Sequence, residues 1–187
     1  FYPTKPLVSI DFGSLSERLE GEHRPGHFEG VGVVVSKLLN LIQPTRAYFG
    51  LKDLQQFLLI RQMSKDLNFP SEIIGVETVR EPSGLALSSR NRRLSDKGKE
   101  TATIIHKGLD LIASGIKSHE PIQDLLTNCR NLYENEPDFE LEYLEAVDTT
   151  SLLPIQDYKQ LDELAVCVAG YVEGVRLIDN LYLRLKQ

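Results

Sequence analysis

The 187 residues carry 27 acidic and 21 basic side chains, for a net charge of −6 at pH 7, with 41% hydrophobic content and two cysteines. That is enough chain for one large or two small cores, and the acidic balance argues against a general nucleic-acid binder while leaving room for a local basic pocket that holds phosphate. No apolar run approaches the roughly 20 residues needed to span a bilayer.

Residues 7–10 read as a short strand and 15–19 as a helical turn or more. Residues 21–26, with Gly21, His23, Arg24, Pro25 and Gly26, read as a loop. Val31, Val34, Val35, Leu38, Leu39 and Ile42 recur at helical spacing and predict a helix over 30–42, which Pro44 stops. Residues 47–49 read as the buried end of a strand. Leu54, Phe57, Leu58 and Leu67 line one face of a second helix that breaks before Pro70, and 73–79 reads as another strand. Helix, strand, helix, strand in that order implies parallel strands with crossover helices, an α/β layer. Ligands of such sheets bind beyond the carboxyl ends of the strands, where Gly50 and Val79 fall.

The character changes after Arg80-Glu81-Pro82-Ser83-Gly84. Ser95 as N-cap and Asp96 in the first turn open a helix that continues through Ala102, Ile105, Leu109 and Ile112 to Gly115. Pro121, at a favoured first-turn position, opens another through Leu125, Leu126, Cys129 and Leu132. Three strand-like runs follow, 139–147, 164–172 and 175–183, the last two joined by the two-residue turn Glu173-Gly174. Helices followed by an antiparallel sheet read as a separate α+β domain, which puts the boundary near residue 80 and the domains at 1–80 and 81–187. Cys129 and Cys167 sit at core positions and read as buried free thiols of a reducing compartment.

Two segments carry chemistry. In Tyr48-Phe49-Gly50-Leu51-Lys52-Asp53-Leu54-Gln55-Gln56 a strand runs into a glycine, a lysine and an acid at the start of a helix. Glycine lets backbone approach a ligand, a helix N-terminus favours phosphate, the lysine adds a point charge, and the acid can reach ribose hydroxyls or a metal ion. A solvated helix start carries the same local pattern. About thirty residues on, Gly84-Leu85-Ala86-Leu87-Ser88-Ser89-Arg90-Asn91 offers two hydroxyls and an arginine as a second phosphate grip. Its bland counterpart is a turn before the Ser95-capped helix, with Arg92 and Arg93 solvated. Gln55 and Gln56 read as ordinary helix-surface glutamines, Gln56 gaining interest because it lies one turn into a helix facing a ligand. His27 reads as a loop histidine beside Arg24, equally suited to lining a pocket or to a structural role. His106 and His119 read as structural or exposed. Gln62-Met63-Ser64-Lys65 reads as a solvated helix face, and no His/Cys cluster suggests a protein metal site.

Taken together, Arg24-Pro25-Gly26-His27-Phe28, Gln43-Pro44, Ala47 through Gln56, Leu67-Asn68-Phe69-Pro70, Val79-Arg80-Glu81, Gly84 through Asn91 and Gly174-Val175-Arg176-Leu177-Ile178-Asp179-Asn180 closely resemble the pantoate–β-alanine ligase family over essentially the whole chain. The resemblance implies a partial Rossmann-like nucleotidyltransferase domain, a parallel sheet with crossover helices, followed by a smaller α+β domain with an antiparallel sheet that acts as a lid. It implies an ATP-dependent ligase that makes pantothenate, AMP and pyrophosphate from pantoate and β-alanine through a pantoyl adenylate, with Mg2+, as a cytoplasmic homodimer without nucleic-acid or membrane partners. By the same resemblance Gly50, Leu51, Lys52, Asp53, Val79, Leu87, Ser88, Ser89 and Arg90 bind ATP. Lys52, Ser88, Ser89 and Arg90 stabilise the transferring phosphate, Gln56 hydrogen-bonds pantoate, and Arg24 and His27 line the site. Leu51 stands where the family usually carries glutamate, so only its backbone is expected to act. The opening Phe1-Tyr2-Pro3 reads as the interior of a longer protein whose amino-terminal part would bring the family's His-x-x-His pair. The 187 residues alone are therefore expected to be inactive and, with strand edges exposed, prone to association. Two other readings stay open: another nucleotidyltransferase of similar architecture, and a non-catalytic nucleotide-binding or assembly module.

Overall fold

The computed structural model describes Thr4 and residues 6–185, and the chain divides into two compact units, Phe1–Val76 and Glu77–Gln187. The division falls between Val76 and Glu77, against an expected position near residue 80.

The first unit runs from a 3-10 turn at Gly13–Ser16 through α1 (Glu20–His23), α2 (His27–Ile42), β1 (Arg46–Gly50), a 3-10 turn at Leu51–Asp53, α3 (Leu54–Asp66) and β2 (Glu72–Val76). β1 and β2 pair in parallel, from Arg46 opposite Glu72 to Gly50 opposite Val76, and α3 is the crossover between them. α2 ends where Gln43 takes a left-handed turn (φ 48) and returns its N–H to Leu39, so the chain has left the helix before Pro44. α3 carries the core of this unit: Leu54, Phe57, Leu58, Leu59, Ile60 and Met63 are buried.

Several expectations shift here. Residues 7–10 form no strand, and Leu7 and Val8 are exposed. Residues 15–19 hold no α-helical turn: the 3-10 turn ends at Ser16. The stretch read as a loop over 21–26 contains the turn α1, and α2 starts at His27 rather than at residue 30, so His27 is a helix-terminal residue and not a loop one. β1 is not a buried strand: its positions alternate between exposed and half-buried, because β2 pairs one of its edges and it packs few side chains. Leu67 lies beyond the end of α3 and is exposed, so it does not extend the apolar face. β2 stops at Val76 because β1 ends opposite it at Gly50, and Val79 instead accepts a hydrogen bond from the Leu87 N–H. Met63 and Ser64 are buried rather than solvated. Ser36 Oγ lies 3.3 Å from Met63 Sδ, and Ser64 Oγ reaches the Ser71 carbonyl that leads into β2.

The second unit holds a 3-10 turn at Ser89–Arg93, α4 (Asp96–Lys117), α5 (Ile122–Glu134), β3 (Glu140–Asp148), β4 (Glu163–Val172) and β5 (Val175–Arg184). The sheet is antiparallel in the order β3-β4-β5, and the two helices pack on it. Ser95 caps α4 by accepting from the Gly98 N–H, as its position predicts, an arrangement worth about 1 kcal/mol. Gly115 does not end α4. It lies inside the helix, where a Cβ would overlap Leu125 of α5, so the glycine lets the two helices approach. Pro121 is the N-cap of α5 rather than its first helical residue. Glu173 and Gly174 both have positive φ (51° and 72°), the geometry of the two-residue turn whose twist suits an antiparallel pair. The core joins Ile105, Leu109 and Ile112 of α4, Leu125, Cys129 and Tyr133 of α5 and the inward positions of all three strands. Both cysteines are buried, and among the described residues neither is in a disulfide.

Candidate functional site

Chemistry-bearing side chains gather in one place in each unit. In the first, β1 delivers the chain at Gly50 into the turn Leu51–Asp53 and the start of α3. Gly50 has an ordinary extended backbone (φ −68, ψ 127), and among the described residues a Cβ built on it would meet nothing within 4 Å. Neither strain nor internal packing therefore demands glycine here. Leu51 turns inward, buried against Gly75, whose own Cβ would overlap the Leu51 side chain. An aliphatic residue at this position thus belongs to the core. Lys52 is half-buried, Asp53 is exposed at the N-cap of α3, and Gln56 is half-buried one turn on.

The N-terminus of α2 comes near this turn. His27 feels Asp53, together with Glu20 and Glu29, as charges that would favour its protonation. Burial outweighs them, with Arg24 adding to it, and the imidazole is held below its ordinary value of 6.5, hence neutral at pH 7. His23 and His27 stand four residues apart, but Arg24-Pro25-Gly26 separates α1 from α2, so they are not a pair on one helix face.

Gln55, read from sequence as a surface glutamine, is 5% exposed. Its amide accepts from the Glu20 N–H (3.0 Å) and donates to the Leu15 and Arg18 carbonyls (both 2.9 Å). It pins the segment ahead of α2, which carries Arg24 and leads into His27, to the helix that follows Lys52 and Asp53. The signal was present: Gln55 lies three and four residues before Leu58 and Leu59, on the buried face.

In the second unit the chain doubles back over 79–87. The Leu87 N–H donates to the Val79 carbonyl, Arg80 bridges Ala86, and the Glu81 N–H donates to the Leu85 carbonyl. Gly84 (φ 92) sits against the ring of His106, leaving no room for a side chain. Ser88 then caps the 3-10 turn by accepting from the Arg90 N–H (3.2 Å), and buried Asn91 donates to the Ala86 carbonyl (3.0 Å). A cavity of about 470 Å³ opens here, lined by Leu87, Ser88, Ser89, Arg92, Lys99 and Glu81 among others. Leu87, Ser88 and Ser89 are thus brought together, while the Arg90 guanidinium reaches the Arg176 carbonyl of β5 (3.5 Å). Val79 is exposed at the start of the loop. Arg92 is exposed, as read from the sequence, and lines the edge of this cavity. Lys99 has no counterpart in the sequence reading: it comes from the first turn of α4, adjacent in space but not in sequence.

Among the described residues no three His, Cys, Asp or Glu side chains cluster in a way that could hold a metal ion, and no helix is long and apolar enough to cross a membrane. His106 pairs with Asp110 one turn along α4 (3.3 Å), and His119 lies past the end of α4 with positive φ.

The chain matches the family model described as pantoate-beta-alanine ligase over residues 1–182. It is 50% identical to the pantothenate synthetase of Cytophaga hutchinsonii over 99% of its own length and 66% of that protein, and 41% identical to that of a Sulfurihydrogenibium species over 96% and 64%. The crystal structure of pantothenate synthetase from Thermus thermophilus superposes with a TM-score of 0.89 at 40% identity, covering 96% of this chain and 65% of that one. Pantoate-beta-alanine ligase from Francisella tularensis, solved with beta-gamma ATP and beta-alanine, gives a TM-score of 0.68 at 33% identity, covering 96% of this chain and 60% of that one. The chain therefore spans just under two thirds of the length of these relatives. Its parallel pair with crossover helix and its separate antiparallel sheet are the nucleotidyltransferase-like fold of these structures.

Proposed function

This chain belongs to the pantoate-beta-alanine ligase family, and we propose that the protein it forms part of condenses pantoate with β-alanine in a reaction driven by ATP. A pantoate carboxylate oxygen attacks the α-phosphorus of ATP, and the α–β phosphoanhydride bond breaks to release pyrophosphate. The amine of β-alanine then attacks the acyl carbon of the pantoyl adenylate, loses a proton and expels AMP, leaving pantothenate. The observation that carries this reading is Gly50: a glycine required by neither backbone nor packing, at the carboxyl end of a parallel strand and one residue before the turn that holds Lys52 and Asp53. Open space at that point is what close approach of a nucleotide needs.

In this reading Gly50 and Asp53 hold the ribose, with the Leu51 backbone beside them, and the Val79 backbone and Leu87 meet the adenine side. Lys52, Ser88, Ser89 and Arg90 neutralise charge that develops on the α-phosphate and the departing pyrophosphate, where fixed cations and dipoles lower the barrier most. Gln56 hydrogen-bonds pantoate, and Arg24 and neutral His27 line the acyl side. Mg2+ would accompany the triphosphate and share its charge, since this cation prefers substrate phosphates to an all-protein cage. The unit Glu77–Gln187 serves as a lid that excludes water from the adenylate. The full-length protein is a cytoplasmic homodimer. No His-x-x-His pair occurs in the 187 residues, and we infer that they make little pantothenate in isolation.

The test uses the full-length protein. Pantothenate, AMP and pyrophosphate should appear in equal amounts, and pantoate alone should support exchange of labelled pyrophosphate into ATP. Lys52→Ala should lower kcat about 100-fold or more. Pyrophosphate release that needs a phosphorylated acceptor in place of pantoate would overturn the reading.

A further inference from the structure

The loop that leads to Ser88 is held by an ion pair that joins positions far apart in the chain. Arg80 and Asp179 are 99 residues apart. The two guanidinium nitrogens of Arg80 face the two carboxylate oxygens of Asp179, Nη1 to Oδ2 at 2.5 Å and Nη2 to Oδ1 at 3.0 Å. Nη1 also donates to the Gly84 carbonyl (3.2 Å), and Oδ1 accepts from the Asn180 N–H (2.8 Å). The Asp179 side chain is 4% exposed, on the central part of β5 opposite Val168.

Stability does not require such a pair. Taking both charges out of water offsets much of their attraction, and well-packed apolar residues commonly serve as well. What a two-pronged arginine–carboxylate contact adds is geometry, since it fixes both position and rotation of the loop end. The consequences run directly to the candidate phosphate grip. Arg80 bridges Ala86, Leu87 is bonded to Val79, and Ala86 holds Asn91, so Ser88 and Ser89 hang from a frame whose anchor is Asp179. Arg90 refers to the same strand through the Arg176 carbonyl.

We propose that Arg80 and Asp179 are positioning residues: their bidentate pair locks the 79–87 loop to β5 and thereby sets where Ser88, Ser89 and Arg90 meet the phosphates of ATP. This rests on the reading that those three residues bind the triphosphate. Lysine at position 80 keeps the charge but loses the fork, and asparagine at 179 keeps the shape but loses the charge.

The experiment measures binding of ATP and of pantoate to the full-length protein and its variants by calorimetry, with thermal melting alongside. Arg80→Lys and Asp179→Asn should each weaken ATP about tenfold or more, the effect expected for misplacing charge-assisted contacts, while pantoate affinity stays within about twofold because Gln56 lies outside the 79–87 loop and its frame. Should Asp179→Asn fail to fold, Arg80→Lys alone carries the test. Unchanged ATP affinity in folded Arg80→Lys overturns the proposal, as does an equal loss for ATP and pantoate, which would mark a purely structural pair. Ser89→Ala and Arg90→Ala separate the two levels. If both bind ATP as the unsubstituted protein does, the phosphate reading falls and the proposal with it; if they weaken ATP and Arg80→Lys does not, only the positioning role falls.

Discussion

The two units treat their strands differently. β4, flanked by β3 and β5, is buried continuously from Leu164 to Gly170, with α4 and α5 packed on the sheet. Among the described residues β1 is paired along one edge, and none of its positions is buried. Antiparallel neighbours joined by a two-residue turn form a sheet from local connections, whereas a parallel pair needs a whole crossover helix and derives its burial from what covers it. Most exposed large apolar side chains follow the same division, with Val34, Leu38, Leu41, Ile42 and Tyr48 all in the first unit. Glycines differ between the units as well. Gly108 and Gly115 are glycines because neighbouring side chains occupy the space of a Cβ, while at Gly50 that space is open.

Substitutions at two glycines should sharpen that contrast most. A Cβ at Gly108 would overlap Tyr133 and Cys129, so Gly108→Ala should destabilise the protein by about 1–3 kcal/mol despite the better helix propensity of alanine. Chemical denaturation reads this directly; an unchanged midpoint would mean that α4 and α5 are less closely fitted than described. Gly50→Ala should do the reverse, leaving stability within about 0.5 kcal/mol, as for an exposed site without special features, and weakening ATP about tenfold in the full-length protein, roughly 1.4 kcal/mol. A stability loss at Gly50 without an affinity loss would erase the distinction.

Acid should separate the units more gently. His27 in the first unit is held below 6.5, chiefly by burial and next by Arg24. The unfolded chain therefore binds its proton more readily, and the native state loses stability as pH falls below about 6.5. Glu173 in the second unit is held below 4.5 by its hydrogen bonds to the hydroxyl and N–H of Ser95. Its contribution is complete above 4.5 and is lost as pH falls through its lower native value. Hydrogen exchange followed from pH 7 to 4 should show amides near His27 loosening before those at the Ser95–Glu173 contact. The opposite order would place the acid-sensitive contact in the antiparallel unit.

Much of the second unit is legible in the sequence because its signals are local. Ser95 caps the helix it precedes, Glu173-Gly174 makes the turn that its residues favour, and the three strand runs lie within a residue or so of their observed bounds. The candidate grips at Gly50–Asp53 and Ser88–Arg90 are visible for the same reason, each being a short contiguous run. What is not legible lies between segments. Gln55 reads as a surface residue, yet its amide holds Leu15, Arg18 and Glu20. Lys99 reaches the serine cavity only because α4 begins beside it, and Gly115 passes for a helix end until Leu125 occupies its missing side chain.

The sequence by itself determined the order of the elements from α2 onward, the α/β-then-α+β division and the family, because periodicity, caps, turns and motifs are written within a few residues of one another. Tertiary structure alone decided which of those residues are structural. Leu51 became core by meeting Gly75, and Arg80 met Asp179 across 99 positions. Such contacts follow from how elements pack, and side-chain burial and pairing are settled only once distant segments exclude water together.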